Sequence, residues 1–372
     1  MNARISDFCH FVRGENRLAA IYNALTLGIV ITEEEIVEVL ETICIEGCVI
    51  THDQLEKLKE RGGEQLTQEL FKHKIIIPLN DRRDIADYSK IQGGLDCKRI
   101  GIIYLLTTDF CNLACSYCFV ENAMPQNHKF SMMSEEVARS GIDIFSRTLK
   151  KSYGVEEPQI IFYGGEPLIN ISVIENTLQY IAQCKRTDKL PNNTSITINT
   201  NGTLVNDRVV TTLKNVENLS VAISLDGPKH IHDACRPYHR KTGIFEHVIR
   251  GYELLRTNGI RVGFCCTVSR HNVDQLENIA RWFVEKFGIE SIGFNIMIGG
   301  PEHKNEKDFD EYARKTSKQL INCFRFFREC GVYEDRIMRK VNAFVDGNIY
   351  YHDCGGCGQQ IVVAPDGLIG VC

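Results

Sequence analysis

At 372 residues the chain exceeds one average domain, and its 43% apolar and 24% charged content is that of an ordinary globular protein. A net charge of −5 with no long basic run argues against nucleic-acid binding, and no apolar stretch reaches membrane-span length. The opening run Met1-Asn2-Ala3-Arg4-Ile5-Ser6-Asp7 has no apolar signal core, so a cytoplasmic protein is expected, and sixteen cysteines in such a chain point to metal binding more than to disulfides.

Residues 1–96 read differently from the rest. Apolar runs near Phe8–Val12 and Leu18–Leu27 come first, and three helical stretches follow. Thr32-Glu33-Glu34-Glu35 and Thr51-His52-Asp53-Gln54 both have the form of a capping box, in which the first and last side chains satisfy each other's orphan backbone donors. A third helix is expected around Glu64–His73, then a short strand at Ile75-Ile76-Ile77 stopped by Pro78. Strands with three short helices predict a small α+β, winged-helix-like module. The polar stretch Asp81–Asp96, with Gly93-Gly94, is the linker candidate.

From Ile100 the pattern alternates. Strands are expected at Ile100–Leu106, Gln159–Tyr163, Ser195–Thr200, Leu219–Ser224, Arg261–Thr267 and Ser291–Ile296. Amphipathic helices fall between them, near Ser134–Lys150, Val173–Cys184, Asp207–Asn215, Phe245–Asn258 and Asn272–Phe287, with another over Asp308–Cys330. Such repeats make an α/β fold with a parallel sheet and right-handed crossovers. A closed barrel needs eight repeats, so six predict a partial (β/α)6 TIM-like barrel with its chemistry at the carboxyl ends of the strands.

The motifs lie just after those strands. The first strand runs into Cys111-Asn112-Leu113-Ala114-Cys115-Ser116-Tyr117-Cys118, the pattern C-x3-C-x2-C. Three thiolates so close in sequence can hold three irons of one cubane cluster and leave the fourth open to a small molecule, whereas a cluster that only carries electrons is normally closed by a fourth cysteine. Zinc is the alternative, although it wants four ligands. The second strand ends in Tyr163-Gly164-Gly165-Glu166-Pro167, where paired glycines permit close backbone approach and the acid can accept from an ammonium group. The third ends in Asn199-Thr200-Asn201-Gly202-Thr203. The fourth ends in Ser224-Leu225-Asp226-Gly227-Pro228, with His232-Asp233 and Arg236-Pro237 beyond it. Cys9, Cys97, Cys184 and Cys323 lie outside any motif and read as small buried residues.

Over about residues 99–300 this order of motifs resembles the radical S-adenosylmethionine superfamily, whose fold is an open three-quarter barrel. The resemblance implies that Cys111, Cys115 and Cys118 carry a 4Fe–4S cluster whose open iron takes S-adenosylmethionine. It implies that Gly164, Gly165, Glu166 and Pro167 hold the amino group and that Thr200 and Asn201 line the pocket. Tyr117 would pack near the adenine. The fourth-strand run is similar to the sulfatase-maturase branch, in which a serine and an arginine hold the carboxylate, so that role carries over to Ser224 and Arg236. A guanidinium fork pairs bidentately with a carboxylate. The implied reaction is reductive cleavage of S-adenosylmethionine to methionine and a 5′-deoxyadenosyl radical, which abstracts hydrogen from the substrate. A donor such as flavodoxin or ferredoxin would supply the electron.

A second constellation closes the chain: His352-Asp353-Cys354-Gly355-Gly356-Cys357-Gly358, then Pro365-Asp366-Gly367 and Cys372. Gln360–Ala364 reads as a strand and Pro-Asp-Gly as its hairpin turn. A zinc knuckle from Cys354 and Cys357 with His352 or Cys372 is one reading. The segment also resembles the opening of a SPASM or twitch extension, which implies an auxiliary 4Fe–4S cluster on Cys354, Cys357 and Cys372. The expected organisation is a peptide-recognition module at 1–96, the radical core at 97–300, a helical connection at 301–345 and the SPASM-like segment at 346–372. The leading module resembles, by architecture and position, the leader-recognition module of ribosomal-peptide maturases. The implied function is a ranthipeptide- or sactipeptide-like maturase that installs a thioether or other crosslink in a precursor peptide or protein. Formylglycine formation by a sulfatase maturase is the alternative, and an iron–sulfur redox sensor without turnover is the alternative of another class.

Overall fold

The computed structural model describes residues 3–14, 16–81, 88–89, 99–118, 120, 124, 127–152, 154–239, 242–297, 306–347, 356 and 358–371. The linker candidate at Gly93-Gly94 and the cysteines Cys354, Cys357 and Cys372 lie outside them. The chain divides into two compact units, Met1–Asp96 with Lys340–Asp353, and Cys97–Arg339 with Cys354–Cys372.

The first unit holds β1 (Ala3–Ile5), β2 (Cys9–Arg13), β3 (Leu18–Asn23), β4 (Gly28–Glu33), α1 (Glu34–Ile45), β5 (Val49–Ile50), α2 (His52–Lys72) and β6 (Ile76–Pro78). β1 lies between β5 and β6 in one antiparallel sheet, and β2, β3 and β4 form a second. α1 buries Ile36, Val37, Leu40 and Ile43, one face at helical spacing, in a core shared with Ile5, Ile21, Leu58 and Leu70. Thr51 makes the expected capping box: its hydroxyl accepts from the Gln54 amide at 3.2 Å, and the Thr51 amide donates to the Gln54 side chain at 2.9 Å. The box expected at Thr32 does not form. Thr32 and Glu33 belong to β4, paired through Leu18–Glu33 with β3, and α1 starts at Glu34 without a side-chain cap. The sheet ladder satisfies those residues first. The helix expected from Glu64 is the second half of α2, which kinks at Gly63 (φ 78°).

The second unit is built on β7 (Ile102–Thr108), β8 (Gln159–Gly164), β9 (Ser195–Thr200), β10 (Leu219–Ser224), β11 (Arg261–Val268) and β12 (Ser291–Ile296). These pair in parallel and in chain order, as expected of six repeats. The helices are α3 (Glu135–Leu149), α4 (Ile171–Arg186), α5 (Asp207–Leu213), α6 (Lys229–Cys235), α7 (Phe245–Thr257), α8 (Leu276–Phe287) and α9 (Glu306–Cys330), while α10 (Asp335–Asp346) is divided between the two units at Lys340. α3 is capped by Ser134, whose hydroxyl accepts from the Val137 amide.

The sheet is wider than the sequence pattern indicates. The two-residue β13 (Tyr333–Glu334) pairs with β12 at one edge. At the other edge β14 (Gln360–Val363) pairs in parallel with β7, and a turn at Pro365-Asp366-Gly367 returns it as β15 (Ile369–Gly370). One face of the sheet is buried by Leu219, Val221, Ile223, Phe264, Cys266 and Val268. The alternating residues, Ser220, Ala222, Ser224, Gly263, Cys265 and Thr267, are small and only half-buried. A closed eight-stranded barrel fills its interior with bulky branched side chains. Small polar residues on this face leave room for a substrate. Among the described residues no helix is long and apolar enough to cross a membrane.

The cap at Thr51 is exposed. Thr51→Ala is expected to lower stability by about 1 kcal/mol, with Thr51→Ser close to the parent. Urea denaturation followed by circular dichroism checks both.

Candidate active site at the carboxyl ends of the strands

β7 delivers Thr107 and Thr108, both fully buried, to the start of the cysteine loop. The Asp109 carboxylate pins the loop's entry by accepting from the Ser131 amide at 2.7 Å, the Ser131 hydroxyl at 3.1 Å and the His128 ring at 2.8 Å. Beyond it the loop is strapped to the segment after α6. The Ala114 amide donates to the Pro237 carbonyl at 2.9 Å, the Ser116 amide to the Cys235 carbonyl at 3.1 Å, and Leu113 bridges to Tyr238. Cys111, Cys115 and Cys118 are half-buried. Burial pushes the Cys111 thiol up to about 12, with the Leu113 amide working against it.

Among the described residues no three cysteine, histidine or acidic side chains converge on a point where one metal ion could sit. A cubane takes each thiolate on a different iron, so three thiols along one strapped loop suit it without meeting at a point.

The loop after β8 packs directly on the cysteine loop. The Gly165 amide donates to the Thr108 carbonyl at 2.8 Å and the Glu166 amide to the Phe110 carbonyl at 2.9 Å. A Cβ on Gly164 (φ 140°) would lie 2.2 Å from the Thr108 carbonyl oxygen, and one on Gly165 would lie 2.2 Å from that of Phe110. Both neighbours are backbone and cannot yield. The close approach these glycines serve is therefore to the cysteine loop itself. Pro167 opens a short 3-10 turn, and its carbonyl accepts from the Thr107 hydroxyl at 3.2 Å.

Glu166 is 1% exposed. Its carboxylate accepts from the Thr200 hydroxyl at 2.6 Å, the Asn201 amide at 2.7 Å and the Leu168 amide at 3.1 Å. Burial still pushes this acid up to about 7, against the pull of those donors. Asn201 continues the chain of contacts. Its side-chain amide donates to Asn112 in the cysteine loop at 2.9 Å, and Asn112 donates to the Thr203 hydroxyl at 2.9 Å.

Ser224 ends β10, half-buried and in register with Cys265. Arg236 is 9% exposed and is already paired. Its Nε donates to Asp226 at 2.8 Å, and its Nη2 to Asp226 at 3.4 Å and to the Thr267 hydroxyl at 3.1 Å. No Nη1 bond forms among the described residues. Tyr117 donates its hydroxyl to the same Asp226, and its ring lies 5.3 Å from the guanidinium carbon. Burial alone would raise the Asp226 carboxyl, but Arg236 overrides it and holds the group below the ordinary carboxylate range. His232, fully buried, accepts the Asp226 amide at Nδ1 at 3.1 Å, and its Nε2 has no partner.

Glu166, Thr200 and Asn201 thus join the cysteine loop through Asn112, and Arg236 joins it through Asp226 and Tyr117, at the carboxyl ends of β7 to β10; Ser224 shares the end of β10 without a side-chain bond to them. Sequence reasoning passed over Asp226, His232, Asn112, Thr203 and Thr267 as site residues. Asp226 and Asn112 stood inside quoted motifs, but nothing local marks a residue whose partners lie 109 and 41 positions away, as Tyr117 and Thr267 lie from Asp226.

Comparison with known proteins agrees with this geometry. The Radical SAM superfamily model matches residues 105–283. A radical SAM cyclopropyl synthase, TigE, of Paramaledivibacter caminithermalis is 23% identical over 99% of this chain and 78% of its own. An uncharacterised protein of Methanocaldococcus jannaschii is 30% identical over 59% of this chain and 72% of its own. A cysteine-type anaerobic sulfatase-maturating enzyme of Clostridium perfringens is 27% identical over 70% and 71%. Among solved structures, anSMEcpe with bound AdoMet and the Cp18Cys peptide shares the fold at a TM-score of 0.58, with 22% identity and 74% of each chain covered. SuiB of Streptococcus suis bound to its precursor peptide SuiA does so at 0.52, with 15% identity over 100% of this chain and 83% of that one. The chain belongs to the radical S-adenosylmethionine superfamily. It is an enzyme, and the family's 4Fe–4S cluster and S-adenosylmethionine are its cofactors. This sets aside the sensor without turnover.

Burial pushes the His232 imidazole from the ordinary 6.5 down to about 4. Between those values the unfolded chain binds one more proton there than the folded one. The stability contributed by His232 therefore falls as pH drops below about 6.5 and levels off below about 4, while Glu166, raised to about 7, contributes in the opposite sense between about 7 and 4.5. The His232 part is read as the difference in urea midpoint between the parent and His232→Gln from pH 7.5 to 4. That difference should shift against the parent as pH falls from 6.5 to 4, and a pH-independent difference would refute the assignment.

Proposed function

We propose that this enzyme modifies a ribosomally made precursor peptide, installing a thioether or other crosslink, and that its N-terminal unit recruits the peptide's leader. One observation carries the reading. β4 is an edge strand whose solvent face bears Ile29 and Ile31, 40% and 70% exposed. Exposed apolar edges invite strand pairing and are normally blunted by charge or proline. Here the edge borders a groove of about 360 Å³ whose far wall is Gly62, Gln65, Leu66 and Glu69 of α2. An extended peptide can add to such an edge as a strand while its side chains enter the groove. Recruitment there raises the local concentration of the segment to be modified.

Coverage supports this reading over formylglycine formation. The likeness to TigE and to peptide-bound SuiB spans 99% and 100% of this chain, N-terminal unit included. The likeness to the sulfatase-maturating enzymes spans 70–74%. The sulfatase-maturase reading keeps support from the Ser224-to-Arg236 run.

When bound, the cluster and S-adenosylmethionine supply one-electron chemistry that removes hydrogen from carbon. The chain's own residues hold and screen. Cys111, Cys115 and Cys118 would ligate the cluster. Glu166, buried and pushed to about 7, would regain its charge beside the ammonium group of the methionine moiety, with Gly164 and Gly165 setting the backbone there. Thr200 and Asn201 fix Glu166, and Pro167 turns the chain behind it. Tyr117 would border the adenine. Arg236 through Nη1, with Ser224, would take the carboxylate singly rather than as a bidentate fork. The half-buried Cys265 and Thr267 line the face on which a peptide would lie. An auxiliary cluster on Cys354, Cys357 and Cys372 is part of the proposal, supported by β14, which brings that segment beside β7. So are a flavodoxin or ferredoxin as electron donor and a cytoplasmic setting.

Replacing Cys111, Cys115 and Cys118 together with alanine is expected to remove one 4Fe–4S equivalent and all S-adenosylmethionine cleavage, read by iron analysis and by 5′-deoxyadenosine. Retained cleavage would refute the ligand assignment.

Ile31→Glu puts a charge on the exposed face of the edge strand. It should leave uncoupled S-adenosylmethionine cleavage at the parent rate and slow modification of the cognate peptide at least tenfold. Equal modification rates would reject recruitment at this edge.

A further inference from the structure

We infer that Asp226 is a positioning residue that sets the carboxylate-binding arginine and the cysteine loop as one unit, so that the grip on the cofactor's amino-acid end is registered to the cluster. The inference rests on the assignment of Arg236 to the cofactor carboxylate made above.

Asp226 has no exposed surface. One carboxylate oxygen receives the Tyr117 hydroxyl and the Arg236 Nε at 2.8 Å. The other receives the Thr267 amide at 2.9 Å and the Arg236 Nη2 at 3.4 Å. Its own amide donates to His232 at 3.1 Å, and its carbonyl accepts from the Asn272 side chain at 3.2 Å. The partners come from the cysteine loop, from α6 and the residue after it, from β11 and from the turn before α8. A buried carboxylate is tolerated only when paired and fully hydrogen-bonded, and removing its partner leaves an uncompensated charge.

The consequence for the ligand is directional. Asp226 occupies the Nε–Nη2 edge of the guanidinium, and Thr267 takes a further Nη2 bond. The plane of the group is fixed, with the Tyr117 ring 5.3 Å from its centre, and Nη1 is the donor left over. The buried pair is neutral overall, so it offers a ligand carboxylate a placed donor more than a bare charge. Ser224, two residues before Asp226 at the end of β10, is positioned by the same strand end. Losing the Asp226 charge would leave Arg236 cationic but free to turn, and would release Tyr117 from its acceptor. Affinity for a carboxylate would then suffer from lost placement, while contacts to the rest of the ligand would stay.

The test compares S-adenosylmethionine with its decarboxylated analogue, using the reconstituted holoenzyme and equilibrium dialysis. Asp226→Asn is expected to weaken S-adenosylmethionine at least tenfold and the analogue less than twofold. Arg236→Ala should do the same, and the double variant should be no worse than Arg236→Ala alone. Equal weakening of both ligands by Asp226→Asn would mean a general structural role, and no weakening of either would mean no role. Both overturn the inference. Should Arg236→Ala itself leave S-adenosylmethionine affinity unchanged, the carboxylate assignment fails first, and the inference falls with it for a distinguishable reason. If Asp226→Asn does not fold, Tyr117→Phe decides: it keeps the buried pair and cuts only the loop's bond. It should cost S-adenosylmethionine several-fold more affinity than the analogue, and equal ratios would overturn the coupling.

Discussion

Two backbones approach each other at the head of the sheet more closely than any side chain would allow, and the site is organised around that contact. The loop after β7 and the loop after β8 are joined by the Gly165 amide on Thr108 and the Glu166 amide on Phe110. A methyl group at either glycine would collide with a carbonyl oxygen. Because the contact involves main chain on both sides, it cannot be relieved by rotamer changes. It fixes the cysteine loop relative to Glu166. Glu166 in turn fixes the loop after β9 through Thr200 and Asn201, and Asn201 reaches back to Asn112. The ring of contacts closes on itself, so that no member can shift alone.

The sheet gives this ring its setting. Its helix-facing side is packed with Ile, Val, Leu and Phe, while over β10 and β11 the other side carries Ser, Ala, Gly, Cys and Thr. The second choice forfeits burial that a filled barrel would use for stability. Packing against the helices, with an apolar core running from Ile103 to Val363, compensates. The fold thus separates its duties by face: stability outside, room for a substrate inside, and reactive groups at one end.

Much of this was legible because period and punctuation are local signals. Six strands showed as short β-branched runs between amphipathic stretches, and each motif followed one of them. What escaped depended on distant partners or on ambiguous local chemistry. β14 pairs with a strand some 250 residues earlier. α6 opens directly after Gly227-Pro228, a pair that reads as a turn. Thr-x-x-Glu at Thr32 is a cap signal that a strand end also satisfies, and the ladder with β3 prevailed. Gly63 read as a boundary between helices because a kink and a break have the same composition. At the site, the glycines of Gly164-Gly165 were legible as a need for close approach, but not what they approach. The pairing of Arg236 with Asp226 was invisible, and with it the reason that the guanidinium keeps a single donor, Nη1, rather than a fork.

The charges of the assembly also balance in a particular way. Asp226 and Arg236 cancel, and His232 is held neutral by burial. Glu166 is left as a buried acid without a cationic partner among its hydrogen bonds, and burial accordingly drives it toward protonation at neutral pH. A ligand that brought a carboxylate alone would add a second uncompensated negative charge. One that brings an ammonium and a sulfonium together with its carboxylate adds one net positive charge, which an ionised Glu166 offsets. In the proposed pocket the neutral Asp226–Arg236 pair and an ionisable Glu166 would suit a ligand of one net positive charge.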